Sequence, residues 1–190
     1  IDANFVNQNI DGEDLCDETT LELLIRNTDI GVATGIKTQF TIPGVGAQFV
    51  PGSVQIAYPS NSNFVSAIQD PVFQGLDLKG QVFVYEDFSK INALLSQNGL
   101  AGFNPQNPGK ENEFRIKFKF KTNCDFISGS YAYHSIFGKS GCGEFTKVDE
   151  GESLPLIIKG APSNNQAKLF KVKLDPSSKI YPGLPSKIRL

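Results

Sequence analysis

Three cysteines and a single histidine are the side chains here best suited to covalent or metal chemistry, and their spacing limits what they can do. Cys124 and Cys142 stand 18 residues apart on either side of an alternating stretch, with turn-forming Gly141 and Gly143 around the second. That arrangement predicts a Cys124–Cys142 disulfide, which would remove about 3 kcal/mol of chain entropy from the unfolded state. Cys16 is the odd one out, either free and buried or directed to a neighbouring module. A structural zinc site needs four ligands in short pairs, and three Cys with one His offer no such pair. Nucleophilic catalysis needs a thiol beside a base; His134 falls in an alternating stretch, and no thiol begins a helix. No catalytic residue is expected.

Milder binding chemistry has three candidates. The acidic cluster Asp11, Glu13, Asp14, Asp17 and Glu18 precedes a strand, and calcium favours oxygen cages of this kind. Its spacing is not that of an EF-hand loop, so a solvated acidic turn is the competing reading. Asp11, Asp14 and Asp17 are the calcium candidates, and no other cofactor is implied. Tyr131 and Tyr133 share one face of a strand, where rings can stack on a sugar, although the absence of Trp removes the best platform. Arg115, Lys117, Lys119 and Lys121 form a basic stripe that could attract an anionic polymer, but like charges on the wet face of a strand ordinarily serve solubility. Gly44, Gly46, Gly138, Gly141 and Gly143 sit at turns, without the strand-to-helix context of a phosphate loop.

Strands must position these groups. Over 112–122, Phe114, Ile116, Phe118 and Phe120 alternate with Arg115, Lys117, Lys119 and Lys121, one face core and the other wet. Residues 20–27 place Leu21, Leu23 and Ile25 opposite Glu22, Leu24 and Arg26, a looser alternation that suits a strand near a sheet centre. Residues 33–42 bring Ile36, Phe40 and Ile42 to one side before Pro43 and Gly44 end the run. Further strands are predicted over 53–58, 63–68, 80–85, 128–137, 154–159 and 168–174, nearly all separated by turn residues, as in a sandwich. One segment breaks the rhythm: Phe88, Ile91, Leu94 and Leu95 recur at helical spacing, with Asp87 as cap and Gly99 as terminator. The spacing predicts a short helix over 87–98, covering one open end of the core and followed by a loop over 101–112.

Composition agrees. Fifteen Phe, 18 Gly and 11 Pro without Trp suit short strands joined by many turns. A net charge of -2 gives no footprint for a phosphate backbone, so no nucleic-acid partner is expected. No stretch approaches 18 apolar residues, so no membrane insertion is expected. A Met-free chain opening at Ile1 reads as a processed form or a piece of something longer. Residues 1–162 are assigned to one β-sandwich module. The remainder, 163–190, has two readings: the last strands of this module, or the start of a next repeat, since Phe5, Cys16, Leu23 and Ile25 fall on Phe170, Tyr181, Ile188 and Leu190 at an offset of 165.

The stretches CDETTLELLIRN, VPGSVQIAYP, FSKINALLSQNGLAGFNP and above all FRIKFKFKTNCDFISGSYAYHSIFGKSGCG resemble the conserved-repeat, immunoglobulin-like domains of large secreted proteins of gliding and biofilm-forming Bacteroidetes. The likeness covers roughly residues 15–162. It implies an immunoglobulin-like antiparallel sandwich in an extracellular or cell-surface adhesin-like polypeptide, partnered by neighbouring modules, and it carries over no catalytic residue. The insertion from Asp87 to Asn112 departs from a compact sandwich of this type. The function expected is a structural or adhesive, non-enzymatic module with a surface glycan or protein as ligand. The alternative is a carbohydrate-binding module that uses Tyr131, Tyr133 or a loop aromatic such as Phe103.

Overall fold

Period-two patterning dominates the structure as it does the sequence: two antiparallel sheets face each other across the residues that alternate inward. The computed structural model describes residues 1–6, 13–87, 90–106, 110–139 and 145–163. In chain order the first strands are β1 (Asp2–Val6), β2 (Glu13–Asp14), β3 (Glu18–Arg26), β4 (Lys37–Ile42) and β5 (Ala47–Phe49). There follow β6 (Gln55–Ala57), β7 (Val65–Ser66), β8 (Val72–Leu76) and β9 (Gln81–Tyr85), then a helix α1 (Ala93–Asn98). The last are β10 (Glu113–Thr122), β11 (Tyr133–Lys139), β12 (Phe145–Glu152) and β13 (Ile158–Lys159).

One sheet has the order β1-β3-β10-β6-β7, with β5 also pairing with β10; the other runs β12-β11-β4-β9-β8. A small parallel pair, β2 with β13, sits apart. Strand β10 is the spine of the first sheet, registered so that Phe114 lies opposite Ile25, Ile116 opposite Leu23 and Phe118 opposite Leu21, all fully buried. Alternation alone sets this register, because a one-residue slip would turn every phenylalanine to water. Across the sandwich, the Phe118 ring stacks on Phe40 of β4 at 4.1 Å, and Phe40 continues to Phe83 of β9 at 5.6 Å. Rings at such spacings add stabilisation beyond the area they bury.

The face expected to be wet is only partly so. Arg115 pairs with Glu22 at 3.0 Å and lies over the Phe64 ring, Lys117 covers the same ring at 4.0 Å, and Lys119 pairs with Glu18 at 2.9 Å. Two of the four basic side chains, Arg115 and Lys119, are thus matched by neighbouring carboxylates, and Arg115 and Lys117 both cover the Phe64 ring. At one end of β10, Glu113 accepts from Arg26 at 2.7 Å, Ser60 at 2.9 Å and Lys110 at 3.3 Å. Burial pushes its pKa up, but the hydrogen bonds from Arg26, Ser60 and Lys110 outweigh that and hold the carboxyl below the usual range.

The helix is shorter than its spacing predicts. It begins at Ala93, and the cap is Asn92 rather than Asp87: the Asn92 side chain accepts from the Leu94 and Leu95 amides. Gly99 ends it with a positive φ, as expected. Ile91, Leu95 and Leu100 enter the core, whereas Leu94 points outward, because six residues make too short a helix to bury a full stripe. Buried Asn27 fastens the crossover after the helix by donating to the carbonyls of Gly31, Leu100 and Ala101. Strands β1, β2, β5, β8 and β12 lie outside the spans that the sequence predicts. The predicted strand over 168–174, and the choice between the two readings of 163–190, lie outside the described residues apart from Ser163.

Candidate functional site: an aromatic cleft at one end of the second sheet

Tyr131 and Tyr133 flank fully buried Ala132, so strand alternation turns both rings to the same, half-buried side. Their centroids lie 6.5 Å apart with the rings tilted by 43°. Opposite them stands the turn between β8 and β9. The Asp77 carboxylate accepts from the amides of Lys79 at 2.7 Å and Gly80 at 2.8 Å, which fixes the turn. Lys79 thereby places its ammonium 4.7 Å from the centroid of the Tyr133 ring, within cation–π range. Gly80 has a second requirement, since a Cβ there would lie 2.0 Å from the Ile42 carbonyl oxygen.

Together these elements enclose an open cleft of about 310 Å³, completed by Pro43, Val45, Leu78 and Ile127. Leu78 is fully exposed and Val45 largely so, apolar side chains at the rim of a pocket whose floor holds phenols and an ammonium. Tyr133 has a raised pKa, through burial first and then Glu152 and Tyr131, so its phenol stays protonated and able to donate. The cleft thus offers two aromatic faces, two hydroxyl groups and one cation. Such a set can hold a sugar ring by stacking and hydrogen bonding, or a side chain of a protein ligand. Sequence reasoning found the tyrosines but missed Lys79, Leu78, Val45 and Ile127, which come from separate loops; only the Asp77-to-Gly80 turn chemistry hinted at where the lysine would stand.

A second crevice, of about 630 Å³, lies where β1 and β12 meet, lined by Ala3, Phe5, His134, Gly151, Glu152 and Leu154 among others. His134 is almost fully buried. Its Nε2 lies 3.1 Å from Asp149, its ring meets Phe5 edge-on at 5.5 Å, and Nδ1 has no partner among the described residues. The same Asp149 oxygen accepts the Ala3 amide at 2.9 Å. His134 therefore works as part of a latch between the two sheets.

The remaining sequence candidates do not assemble. Cys124 is exposed and unbonded, carried in the turn closed by the Asn123 carbonyl and the Phe126 amide, so the predicted disulfide is not formed in the structure; Cys142 lies outside the described residues. Cys16 is exposed rather than buried and has a positive φ. Asp14 faces Lys159 at 3.6 Å and Asp17 is exposed; Asp11 lies outside the described residues. Among the described residues no three potential metal ligands gather. Phe103 is exposed in the loop after α1 and does not line the tyrosine cleft.

No family model matches the chain, and no curated protein matches it. Among solved structures it is similar to BcpA, the major pilin subunit of Bacillus cereus, at 15% identity over 83% of this chain and 39% of that one, with a TM-score of 0.44. It is similar to the collagen-binding domain of the Erysipelothrix rhusiopathiae surface protein RspB at 13% identity over 82% of this chain and 46% of that one, TM-score 0.43. It is also similar to AvmM, which catalyses macrocyclization in alchivemycin A biosynthesis, at 9% identity over 85% and 90% of the two chains, TM-score 0.38. The chain spans less than half the length of the first two.

Proposed function

We propose that the chain is a structural and adhesive module of a large secreted or cell-surface protein, and that the Tyr131–Tyr133 cleft is where it meets its ligand. The observation that carries this reading is the convergence of two half-buried tyrosines with Lys79 in an open, apolar-rimmed cleft. The buried polar groups support a structural rather than a catalytic role: Glu113, Glu22 and His134 each join neighbouring strands or loops. The protein is accordingly read as non-enzymatic, and its resemblance to Bacteroidetes repeat domains suggests service in biofilm formation or gliding, alongside further modules of the same polypeptide.

A second reading, a carbohydrate-binding module of a secreted protein, rests on the same tyrosines. Binding of the purified chain to a glycan array and to immobilised matrix proteins tests both. The expected result is selective binding that falls at least tenfold in Tyr133→Ala while the melting temperature stays within about 2 °C. Selective binding to glycans favours the second reading, and binding to proteins the first. Undiminished binding by Tyr133→Ala would remove the cleft from either account.

A further inference from the structure

The tyrosine cleft carries charge of one sign. Lys79 is the charged side chain among its described lining residues, and no carboxylate lines it. Lys79 is exposed, and among the described residues its ammonium enters no ion pair; what it meets is the face of the Tyr133 ring, at 4.7 Å. The two acids whose fields reach Lys79 and Tyr133 are placed elsewhere. Glu150 is held by Lys147 at 2.7 Å, and Glu152, opposite Tyr133 on β12, lines the crevice beside β1. Ser130 commits its hydroxyl to the Ile127 carbonyl at 2.6 Å. The side-chain polar groups left to a ligand are thus an ammonium and two phenols, all of which can donate. A carboxylate is the acceptor that such a set binds best, because hydrogen bonds between ionised partners are the strong ones.

The rim decides what carries that carboxylate. Leu78, Val45 and Ile127 line the cleft and are exposed. The apolar surface continues past the rim: a Cβ on Gly44 would lie 3.8 Å from Leu76, and Leu76 and Phe73 are both more than half exposed. A polysaccharide presents hydroxyl groups on all sides, and those laid over Leu78 and Leu76 would lose water without gaining a partner. A protein segment instead brings apolar side chains, which leave water together with the rim. Apolar surface set around a few polar groups is the ordinary mark of a protein contact, and tyrosine is among the residues that concentrate binding energy there.

We propose that the ligand of this cleft is a protein segment in which an acidic side chain stands among apolar ones. Its carboxylate pairs with Lys79 and accepts from the tyrosine hydroxyls, and its apolar neighbours cover Leu78, Val45 and Ile127. The inference rests on the reading of the cleft as the ligand site and adds the chemistry of the partner.

Selection of a random-peptide phage library on the immobilised full chain, and in parallel on its Tyr133→Ala variant, tests it. The expected result is enrichment, on the parent alone, of peptides that carry Asp or Glu beside apolar residues. For the most enriched peptide, made synthetically, affinity should fall at least tenfold when its acid is replaced by the matching amide. It should fall as far in the full-chain variant Lys79→Gln and be largely kept in Lys79→Arg, with unchanged melting temperatures as the check that the turn survives. Binding lost in Tyr133→Ala yet undiminished in Lys79→Gln would overturn the acidic partner and leave the cleft as a ligand site. Equal enrichment on parent and Tyr133→Ala would remove the cleft itself, and no enrichment on either would overturn the peptide partner. So would Lys79-dependent binding to hexuronate glycans on an array with no peptide enriched, which assigns the cation to a polysaccharide.

Discussion

Where β1 and β12 meet, a polar latch joins the two sheets: Asp149 accepts the Ala3 amide at 2.9 Å and holds His134 at 3.1 Å, with the Phe5 ring against the imidazole. At the opposite rim, β7 and β8 end the same two sheets with Val65, Val72, Phe73 and Leu76 turned to solvent. The first rim satisfies an edge amide with a side chain from the facing sheet. The second exposes apolar side chains to solvent. Set side by side, the rims distinguish contacts that complete the fold from apolar edge surface that no described residue covers. Both depend on the same middle, the Phe118–Phe40–Phe83 stack.

The largest effect should therefore come from that shared middle. Phe118→Ala removes a fully buried ring and should cost about 3–5 kcal/mol, lowering the melting temperature by about 2–4 °C per kcal/mol in a chain of this size. Amide exchange should rise at both rims together; a rise at one rim only would show that the stack supports just that side. Next comes the latch. His134 lies across Gly151, its partner on β12, and a Cβ there would sit 2.6 Å from the imidazole Cε1. Gly151→Val should displace the ring and cost about 1–3 kcal/mol. Thermal melts and exchange of the β1 amides check this, with β8 expected to stay as it was.

Much of this fold is legible in the residues, and the parts that are not share a physical reason. Strands β3, β4 and β10 announce themselves because each buries one face, so apolar and polar side chains alternate. Strand β12, with the sequence FTKVDEGE, hides because its described side chains are mostly exposed, and β8 hides because it is exposed on both faces and has no polar side to contrast. Asn92 displaced Asp87 as the helix cap because only Asn92 directly precedes the turn whose amides need an acceptor. The cleft was half legible: Tyr131 and Tyr133 share a face by local alternation. Lys79, Leu78 and Ile127 reach them through turns whose convergence is a tertiary fact.

A smaller effect than the latch's should appear at Glu113, which ties the Ser60 loop between β6 and β7 to β10 and so anchors the open rim. Its carboxyl is held below the unfolded value of about 4.3, so the folded protein keeps it ionised to lower pH than the unfolded chain does. That contribution is fully present above the unfolded pKa and is lost as pH falls through the folded one. Glu113→Gln should lose about 1–2 kcal/mol at pH 7, since hydrogen bonds to a charged acceptor become neutral ones. The deficit should shrink steadily below pH 4. Urea melts of parent and variant from pH 7 to pH 3 measure it, and parallel curves across that range would show that Glu113 contributes nothing through its charge.

The smallest effect should come from the open rim itself. Val65 on β7 pairs across to Ile56 but keeps about half its surface in water, 53%. Val65→Thr preserves the branched shape and the strand preference while replacing a methyl group that meets solvent. Substitutions at such sites ordinarily shift stability by less than about 0.5 kcal/mol, so the melting temperature should move by no more than about 2 °C. A loss above about 1 kcal/mol would mean that β7 is covered in solution. A smaller change means that β7 is as open in solution as the structure shows it.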